Sequence, residues 1–239
     1  MTDYLINYRR TRRPGYVAGI QPAVPPESFD TTNLTVWLKD AGLTGLGDND
    51  PVSIWADSSG NGLDAIQGTA AYRPLYKTNI LNGYPVVRFD GSDDYLDLGD
   101  ISGHFGSVGS LFVVCYLNSA SLYNIYTSLD ASDTWWRYDS DGNGYMGVFR
   151  SARIEGYPAT MPTSGWHIMT LISGVADYIF YLDTVSKGTQ AAAFVAGSNH
   201  RIGYRRWLKG DVAELLVYSD DKSPTRAEIE TYLKAKFNL

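Results

Sequence analysis

Short apolar runs with alternating polar positions recur along most of the chain, and clusters of glycine, asparagine and aspartate separate them. Alternation with a period of two is typical of a strand with one buried face, and Gly, Asn and Asp are residues that tight turns favour. The pattern predicts strands over residues 110–117, 121–128, 135–139, 145–150, 167–173, 178–182 and 211–218. We therefore expect an all-β protein.

A turn cluster at residues 90–93 divides an apolar run that ends at Phe89 from a run that begins at Tyr95. Gly91 can take a positive φ, and the side chain of Asp90 can accept hydrogen bonds from the local backbone. The cluster predicts a hairpin that brings the two runs side by side in one sheet.

One helix is predicted, after Ser223 in the last part of the sequence. Ser223 is a favourable N-cap, and Pro224 suits the first helical position because a helix leaves that N–H unpaired in any case. One apolar stripe follows at helical spacing, formed by Ile229, Tyr232, Leu233 and Phe237. We expect this stripe to pack against the strands, where each buried side chain contributes roughly 1.5–3 kcal/mol before entropy is counted.

The composition fits a single domain, since 239 residues suit one β-sandwich of about 200–250 residues. The net charge of -6 argues against a nucleic-acid-binding surface. No apolar run is long enough to cross a bilayer, and the first residues lack the apolar region of a signal peptide. The single cysteine, Cys115, excludes intramolecular disulfides and is predicted to be a buried strand residue.

Several segments carry a family resemblance, which extends over residues 35–239. They are the strand at 37–40, the loop with Trp55, Asp57, Gly60, Asn61, Gly62 and Asp64, the pair of strands at 82–95, and the closing block at 202–203, 210–218 and 228–233. They resemble the concanavalin A-like lectin and glucanase superfamily, in its laminin-G-like branch. The resemblance implies a two-sheet antiparallel jelly-roll sandwich. Asp183-Thr184 departs from it, because the family often has an Asn-Gly turn there.

The first 34 residues differ in kind from the rest, since prolines at 14, 22, 25 and 26 disfavour a helix or central strand. We expect an extended arm over residues 1–34 and a jelly-roll domain over 35–239. Residues 1–20 carry a charge of +3, whereas the remainder carries -9. The candidate anchors to an acidic partner surface are Tyr4, Tyr8, Arg9, Arg10, Arg12, Arg13 and Tyr16. A disordered, solvated tail is the alternative.

No catalytic group is predicted. Glycanases of the resembled superfamily point two carboxylates into a cleft from one strand, and glycoside hydrolysis needs such a pair. The nearest strand here carries Asp211 and Glu214, which strict alternation places on opposite faces, and Glu214 is expected to make structural hydrogen bonds. His104, His167 and His200 lie in separate segments. His167 is expected to pack at the start of a strand, and His200 to be a loop residue without a task.

Two loops are candidates for calcium, although the prediction requires no cofactor. The candidate ligands are Asp139, Asp141 and Asn143 in one loop and Asp57, Asn61 and Asp64 in the other. The first loop begins like an EF-hand, but Arg150 stands where the bidentate glutamate belongs. The second resembles family loops that sometimes hold calcium. Each is equally explained as a turn whose side chains bond their own backbone.

The candidates for a sugar-binding site belong to a group of aromatic residues between positions 123 and 145. Its carbohydrate-binding candidates are Tyr126, Trp135, Trp136, Arg137 and Tyr138. Rings offer stacking faces and charged tips bind hydroxyl groups, a combination suited to sugars. Alternation places Trp135 with Arg137 on one face of a strand and Trp136 with Tyr138 on the other. A structural role for the whole group is the alternative.

Two functions of different class remain. A jelly roll with an N-terminal arm and no secretion signal resembles decoration and tail-associated proteins of tailed bacteriophages. The main expectation is therefore a non-enzymatic virion protein, assembled in the host cytoplasm, that docks through its arm on a capsid or tail protein in multiple copies or as a homo-oligomer. The alternative is a glycan-binding adhesion module that recognises a cell surface. A glycoside hydrolase is a third, less favoured hypothesis. No nucleic-acid or membrane partner is expected.

Overall fold

The computed structural model describes residues 29–104, 108–118, 123–128, 135–139, 145–149, 164–191, 197–204 and 207–239. In chain order the strands are β1 (Leu34–Leu38), β2 (Ile54–Trp55), β3 (Ala65–Ile66), β4 (Leu75–Leu81), β5 (Tyr84–Asp90), β6 (Leu96–Gly99), β7 (Gly109–Asn118), β8 (Tyr123–Ser128), β9 (Trp135–Asp139), β10 (Tyr145–Phe149), β11 (Ser164–Ser173), β12 (Asp177–Leu182), β13 (Val185–Ala191), β14 (His200–Ile202) and β15 (Lys209–Tyr218). The α-helix of this part of the chain, α1, spans Arg226–Phe237.

The strands form two antiparallel sheets. Sheet A has the order β13-β12-β11-β7-β15-β5-β4, and β1 also pairs with β15. Sheet B has the order β10-β9-β8-β14-β6-β3-β2. The prediction of an all-β, two-sheet sandwich with one C-terminal helix is confirmed.

The main core lies between the two sheets, because alternate residues of each strand turn inward. Sheet A contributes Val87, Phe89 and Val113, and sheet B contributes Leu96 and Ile202, all at most 1% exposed. Alternation is clean in β6 and β12, where buried and half-buried residues take turns. The cysteine of β7 lies in this core, so its predicted burial is confirmed.

A second core lies on the other face of sheet A, beneath α1. The predicted stripe of the helix is buried there against Trp37, Phe112 and Ile168. The helix begins two residues later than predicted, at Arg226, and its N-cap is Thr225 instead of Ser223. The Thr225 hydroxyl caps nothing and donates to the Asp30 carboxylate instead, at 2.9 Å.

The turn cluster at residues 90–93 does not close a hairpin, so that prediction is wrong. The strand before it, β5, belongs to sheet A, whereas β6 belongs to sheet B. The Asp90 carboxylate accepts a hydrogen bond from the Ser92 N–H at 2.7 Å, as a turn requires. The turn residues were recognised correctly, but turn chemistry does not determine whether the next strand stays in the same sheet.

The predicted opposite placement of Asp211 and Glu214 is also wrong. Asp211 pairs across the sheet with Tyr116, and Glu214 pairs with Val114, which is two residues away on the same strand. The register shifts between Val212 and Glu214, and such a bulge adds one residue that shifts later side chains to the other face. Both acids therefore lie on the outer face of sheet A.

A turn with two residues at positive φ joins β12 to β13. Asp183 and Thr184 have φ values of 49° and 71°, the conformation that an Asn-Gly pair adopts most easily. The Asp183 carboxylate accepts a hydrogen bond from the Ile168 N–H at 3.0 Å and bonds His167 at 2.9 Å. These bonds to the neighbouring strand stabilise a turn that the sequence alone disfavours.

The arm residues Tyr4, Tyr8, Arg9, Arg10, Arg12, Arg13 and Tyr16 lie outside the described residues, so their partner-binding role stays a prediction. The described chain starts at Phe29, whose ring stacks on Tyr232 with centroids 4.3 Å apart. Within the described residues, no helix combines the length and the apolar character that a membrane span requires.

Candidate functional site

A cluster of aromatic rings lies on the outer face of sheet B, at the end of the sheet where β6 begins and β14 ends. The Tyr204 ring is 5.1 Å from Tyr95 and 5.4 Å from Trp207, between centroids, and it meets each ring at a steep angle. Tyr95 also lies 6.0 Å from Tyr72, whose side chain is 38% exposed. The other rings are half-buried. The cluster therefore offers partly exposed ring faces to solvent.

One arginine ties the cluster together. The Arg201 guanidinium carbon lies 4.9 Å from the ring centroid of Tyr95 and 4.4 Å from that of Tyr204. Its Nε donates to the Asp97 carboxylate at 2.8 Å. Each contact favours one orientation of the guanidinium plane, so cation, anion and rings form one rigid unit.

The strands dictate this placement. Arg201 of β14 pairs with Asp97 of β6, which in turn pairs with Ile66 of β3. Residues directly opposite each other share a face, and Ile66 is 47% exposed, so this row faces solvent. The adjacent residues Leu96 and Ile202 point into the core.

Backbone contacts hold the aromatic residues in place. Gly203 has a φ of +82°, and a Cβ there would lie 2.7 Å from the Phe89 ring, so the turn before Tyr204 requires glycine. The Tyr95 N–H donates to the Tyr72 carbonyl at 3.1 Å. The buried Gln67 amide donates to the Tyr95 carbonyl at 3.1 Å. The site is thus preorganised before any ligand arrives.

An open groove of about 410 Å³ runs beside the rings. It is lined by Asp64, Ile66, Gln67, Tyr95 and Asp97. Two carboxylates, an amide, an isoleucine and a tyrosine ring face one space. A groove of this size, whose wall combines polar and apolar side chains, suits a small polar ligand with an apolar face.

Three carboxylates gather at the edge of the site, in the crossover from β5 to β6. Oxygens of Asp90, Asp93 and Asp94 lie within 4.8 Å of one another, the one such group among the described residues. Burial raises the pKa of Asp94 to about 6, and the other two carboxylates act in the same direction. The Asp94 carboxylate accepts a hydrogen bond from the Asp90 N–H at 2.9 Å, so the cluster also shapes the turn.

The predicted calcium loop at Asp57, Asn61 and Asp64 is built from hydrogen bonds to its own neighbourhood. Asp57 accepts from the N–H groups of Trp37 and Leu63, and its own N–H donates to Asp64 at 2.8 Å. The Asn61 amide donates to backbone carbonyls of β1 at 2.9 Å. This geometry supports the alternative, a structural turn. In the other loop Asp139 ends β9, and Asp141 and Asn143 lie outside the described residues.

The predicted sugar-binding group is placed only in part. Its strand β9, with Trp135, Trp136, Arg137 and Tyr138, belongs to sheet B, as the aromatic cluster does. Tyr126 packs against the inter-sheet core, and burial raises its pKa. Its hydroxyl bonds His200 Nδ1 at 2.8 Å, which gives Tyr126 a structural role. The sugar-binding roles of the β9 residues stay predictions.

His200 is not a loop residue without a task, so that prediction is wrong. It begins β14, is 4% exposed, and its Nε2 lies 2.6 Å from the Gly197 carbonyl. Glu214 does make the structural hydrogen bonds that were expected. Its carboxylate accepts from the Trp37 indole at 2.6 Å and from the Tyr232 hydroxyl at 3.0 Å, beneath α1.

Sequence reasoning missed Tyr95, Arg201, Tyr204 and Trp207 as a site. Tyr95 was used only as part of a segment that marks the fold, and it lies about 110 positions from the other three residues. A local signal does exist. Tyr204 and Trp207 follow a turn glycine, where loops carry function most often.

The sequence matches no protein-family model and no curated protein. Solved structures do share its fold. Domain 4 of AbnA, an extracellular GH43 arabinanase from Geobacillus stearothermophilus, has a TM-score of 0.54 and 17% identity, covering 83% of this chain and 98% of that domain. Trypanosoma rangeli sialidase has a TM-score of 0.59 and 12% identity, covering 90% of this chain and 35% of the sialidase. A mutant of HCR/D has a TM-score of 0.52 and 13% identity, covering 85% and 52%.

At these identities the likeness shows the fold alone, and the chain spans about a third of the sialidase. It is consistent with the predicted concanavalin A-like jelly roll. The main functional prediction, a structural protein of a virion, is wrong, because the structures that share the fold include an arabinanase domain and a sialidase.

Proposed function

We propose that this protein is a non-catalytic glycan-binding module whose site is the aromatic cluster of sheet B. The observation that carries the proposal is the unit formed by Arg201, Asp97 and the rings of Tyr95, Tyr204 and Trp207. A sugar presents an apolar ring face and a rim of hydroxyl groups, so it needs both ring faces and fixed polar groups.

The solved structures support this proposal. The AbnA domain was determined in complex with arabinotriose, and this chain matches nearly all of that domain, 98% of its length. The sialidase was determined in complex with sialic acid, but the chain matches 35% of it. The match therefore fits a separate binding domain better than a whole enzyme.

The hydrogen bonds of the groove support a role without catalysis. A glycosidase needs one carboxylate as general acid and another as base or nucleophile. Asp97 accepts from Arg201 and from the Gly99 N–H at 2.7 Å. Asp64 accepts from the Asp57 N–H at 2.8 Å. Both groove carboxylates are thus committed to holding the site together.

The test is a glycan array followed by calorimetric titration of the best neutral and sialylated hits. We expect Trp207→Ala and Tyr204→Ala each to weaken binding about 5- to 30-fold, because removing a stacking ring at a site centre costs about 1–2 kcal/mol. The matched control is Tyr181→Ala, which removes a ring that lies 3.9 Å from the Arg226 guanidinium on sheet A. An array without hits, or hits whose affinity survives both site variants, would overturn the proposal.

A further inference from the structure

A second groove, of about 320 Å³, opens on sheet A at the same end of the sandwich. Leu75, Arg88, Tyr116, Lys209 and Asp211 are among its lining residues. It lies on the outer face of sheet A, where α1 covers a different part of the strands. No residue of this groove belongs to the aromatic cluster described above.

One cross-strand row contains four lining residues of this groove, which are Leu75, Arg88, Asp211 and Tyr116. The row runs over five neighbouring strands and consists of Leu75, Arg88, Asp211, Tyr116 and Trp166. Directly paired residues share a face, so all five side chains emerge on the same side of sheet A. The Tyr116 and Trp166 rings lie 5.5 Å apart between centroids, and both are half-buried.

The charged pair of the row has a fixed geometry. The Nε and Nη2 groups of Arg88 each donate to the Asp211 carboxylate at 2.7 Å. Asp211 is buried, whereas the Arg88 side chain is 43% exposed. The fork thus holds the guanidinium plane and leaves its outer N–H groups facing the groove. Fixed donors beside two rings repeat the chemistry of the site on sheet B.

Three chain segments join the two sites, and each one crosses from one sheet to the other. Gln67 and Leu75 lie at the two ends of the first crossover, in the groove of sheet B and the groove of sheet A respectively. Tyr95 and Asp94 are adjacent in the second crossover and line different grooves. In the third crossover, Trp207 of the aromatic cluster is two residues from a residue that lines the second groove.

A ligand that contacts both grooves must be long. Stacked sheets lie about 10 Å apart, and the two grooves lie on the outer sides of that layer. One sugar unit is too short for this distance, whereas several linked units can follow the crossovers over the end of the sandwich. Tyr72 lies in the first of these crossovers, and its ring is 6.0 Å from that of Tyr95, between centroids.

We propose that the two grooves form one track for an extended, linear saccharide chain, bound along its length instead of at a terminal sugar. This inference rests on the proposed glycan-binding function and specifies its ligand. The site on sheet B holds one stretch of the chain, and the Arg88 and Tyr116 groove holds another. Short oligosaccharides reach only the site on sheet B.

The test titrates the full chain with linear arabino-, xylo- and gluco-oligosaccharides of two and of six units. We expect the six-unit ligand of the series that binds to have at least about 10-fold higher affinity than its two-unit ligand, since a second groove adds contacts without a second loss of translational freedom. Tyr116→Ala and Arg88→Lys should remove most of this gain and leave two-unit binding unchanged. Trp207→Ala should weaken both lengths, and the Tyr181→Ala control neither.

The possible outcomes separate this inference from the function on which it rests. Equal affinity for the two lengths, with Trp207 still required, overturns the extended track and leaves the glycan-binding function intact. The same conclusion follows if Tyr116→Ala weakens two-unit and six-unit ligands equally. Failure of every series and of the array to bind overturns both. Thermal unfolding of each variant shows whether the fold is retained, and Arg88→Lys keeps a cation beside the buried Asp211.

Discussion

The molecule places aromatic rings around an ion pair at two positions with opposite access to solvent. Beneath α1, Glu214 is fully buried and accepts from Trp37, Tyr232 and the Lys236 ammonium, the last at 2.7 Å. On sheet B the corresponding pair is Arg201 and Asp97, whose side chains are 21% and 32% exposed.

The two clusters differ in whether a helix covers them. Both clusters lie on the outer face of a sheet, but α1 covers the first, so its polar groups bond other protein groups instead of solvent. The second has no helix over it among the described residues, and its ring faces remain accessible. The same residue types therefore stabilise the fold at one position and offer a binding surface at the other, and burial decides which.

The covered cluster should respond most strongly in stability. Glu214→Ala leaves the Lys236 ammonium buried with only Asp40 as an anionic partner, 2.7 Å away. Removing one partner of a buried pair costs about 3–5 kcal/mol, so we expect the free energy of unfolding in urea to fall by about that amount. Glu228→Ala, an exposed acid on the same helix, should change it by about 0.5 kcal/mol or less. A loss below about 1 kcal/mol for Glu214→Ala would contradict the role assigned to burial.

Asp94, at the edge of the open site, should make the free energy of unfolding depend on pH. The folded-state pKa of Asp94 is raised from 3.8 to about 6, chiefly by burial. Its stabilising contribution is therefore fully present below pH 3.8 and is lost as the pH rises through about 6. Relative to Asp94→Asn, the wild type should lose up to about 3 kcal/mol of unfolding free energy between pH 4 and pH 8.

Chemical denaturation of both proteins across that range measures this difference. The asparagine keeps an oxygen that can accept the Asp90 N–H, so the turn is preserved in the control. A difference that stays constant with pH, or grows in the opposite direction, would show that Asp94 ionises without penalty in the folded protein.

Arg201→Lys tests the open cluster with the smallest expected effect. Lysine keeps the charge but loses the planar group that lies against Tyr95 and Tyr204. We expect glycan affinity to fall by about 1 kcal/mol, or three- to tenfold, in calorimetric titration. Arg226→Lys makes the matched change against Tyr181 on sheet A and should leave affinity unchanged. Equal effects of the two variants would remove the distinction between the covered and open faces.

Local pattern was sufficient for seven of the longer strands and for most of the helix, but it did not identify short strands such as β2, β3 and β14. Alternation located β9 at its observed limits, and the stripe that includes Ile229 and Leu233 is buried as expected. Local pattern failed where a long-range choice was involved. The turn at residues 90–93 has hairpin chemistry but joins two sheets, and the bulge before Glu214 reverses which face its side chain takes.

By itself, the sequence determined the class of the protein, because alternation, turn residues and the helical stripe are properties of neighbouring positions. Only the tertiary structure decided the site. Tyr95 and Asp97 meet Arg201, Tyr204 and Trp207 because two crossovers between the sheets end side by side. Pairing of distant strands depends on the packing of the whole sandwich, and no local spacing in the chain encodes it.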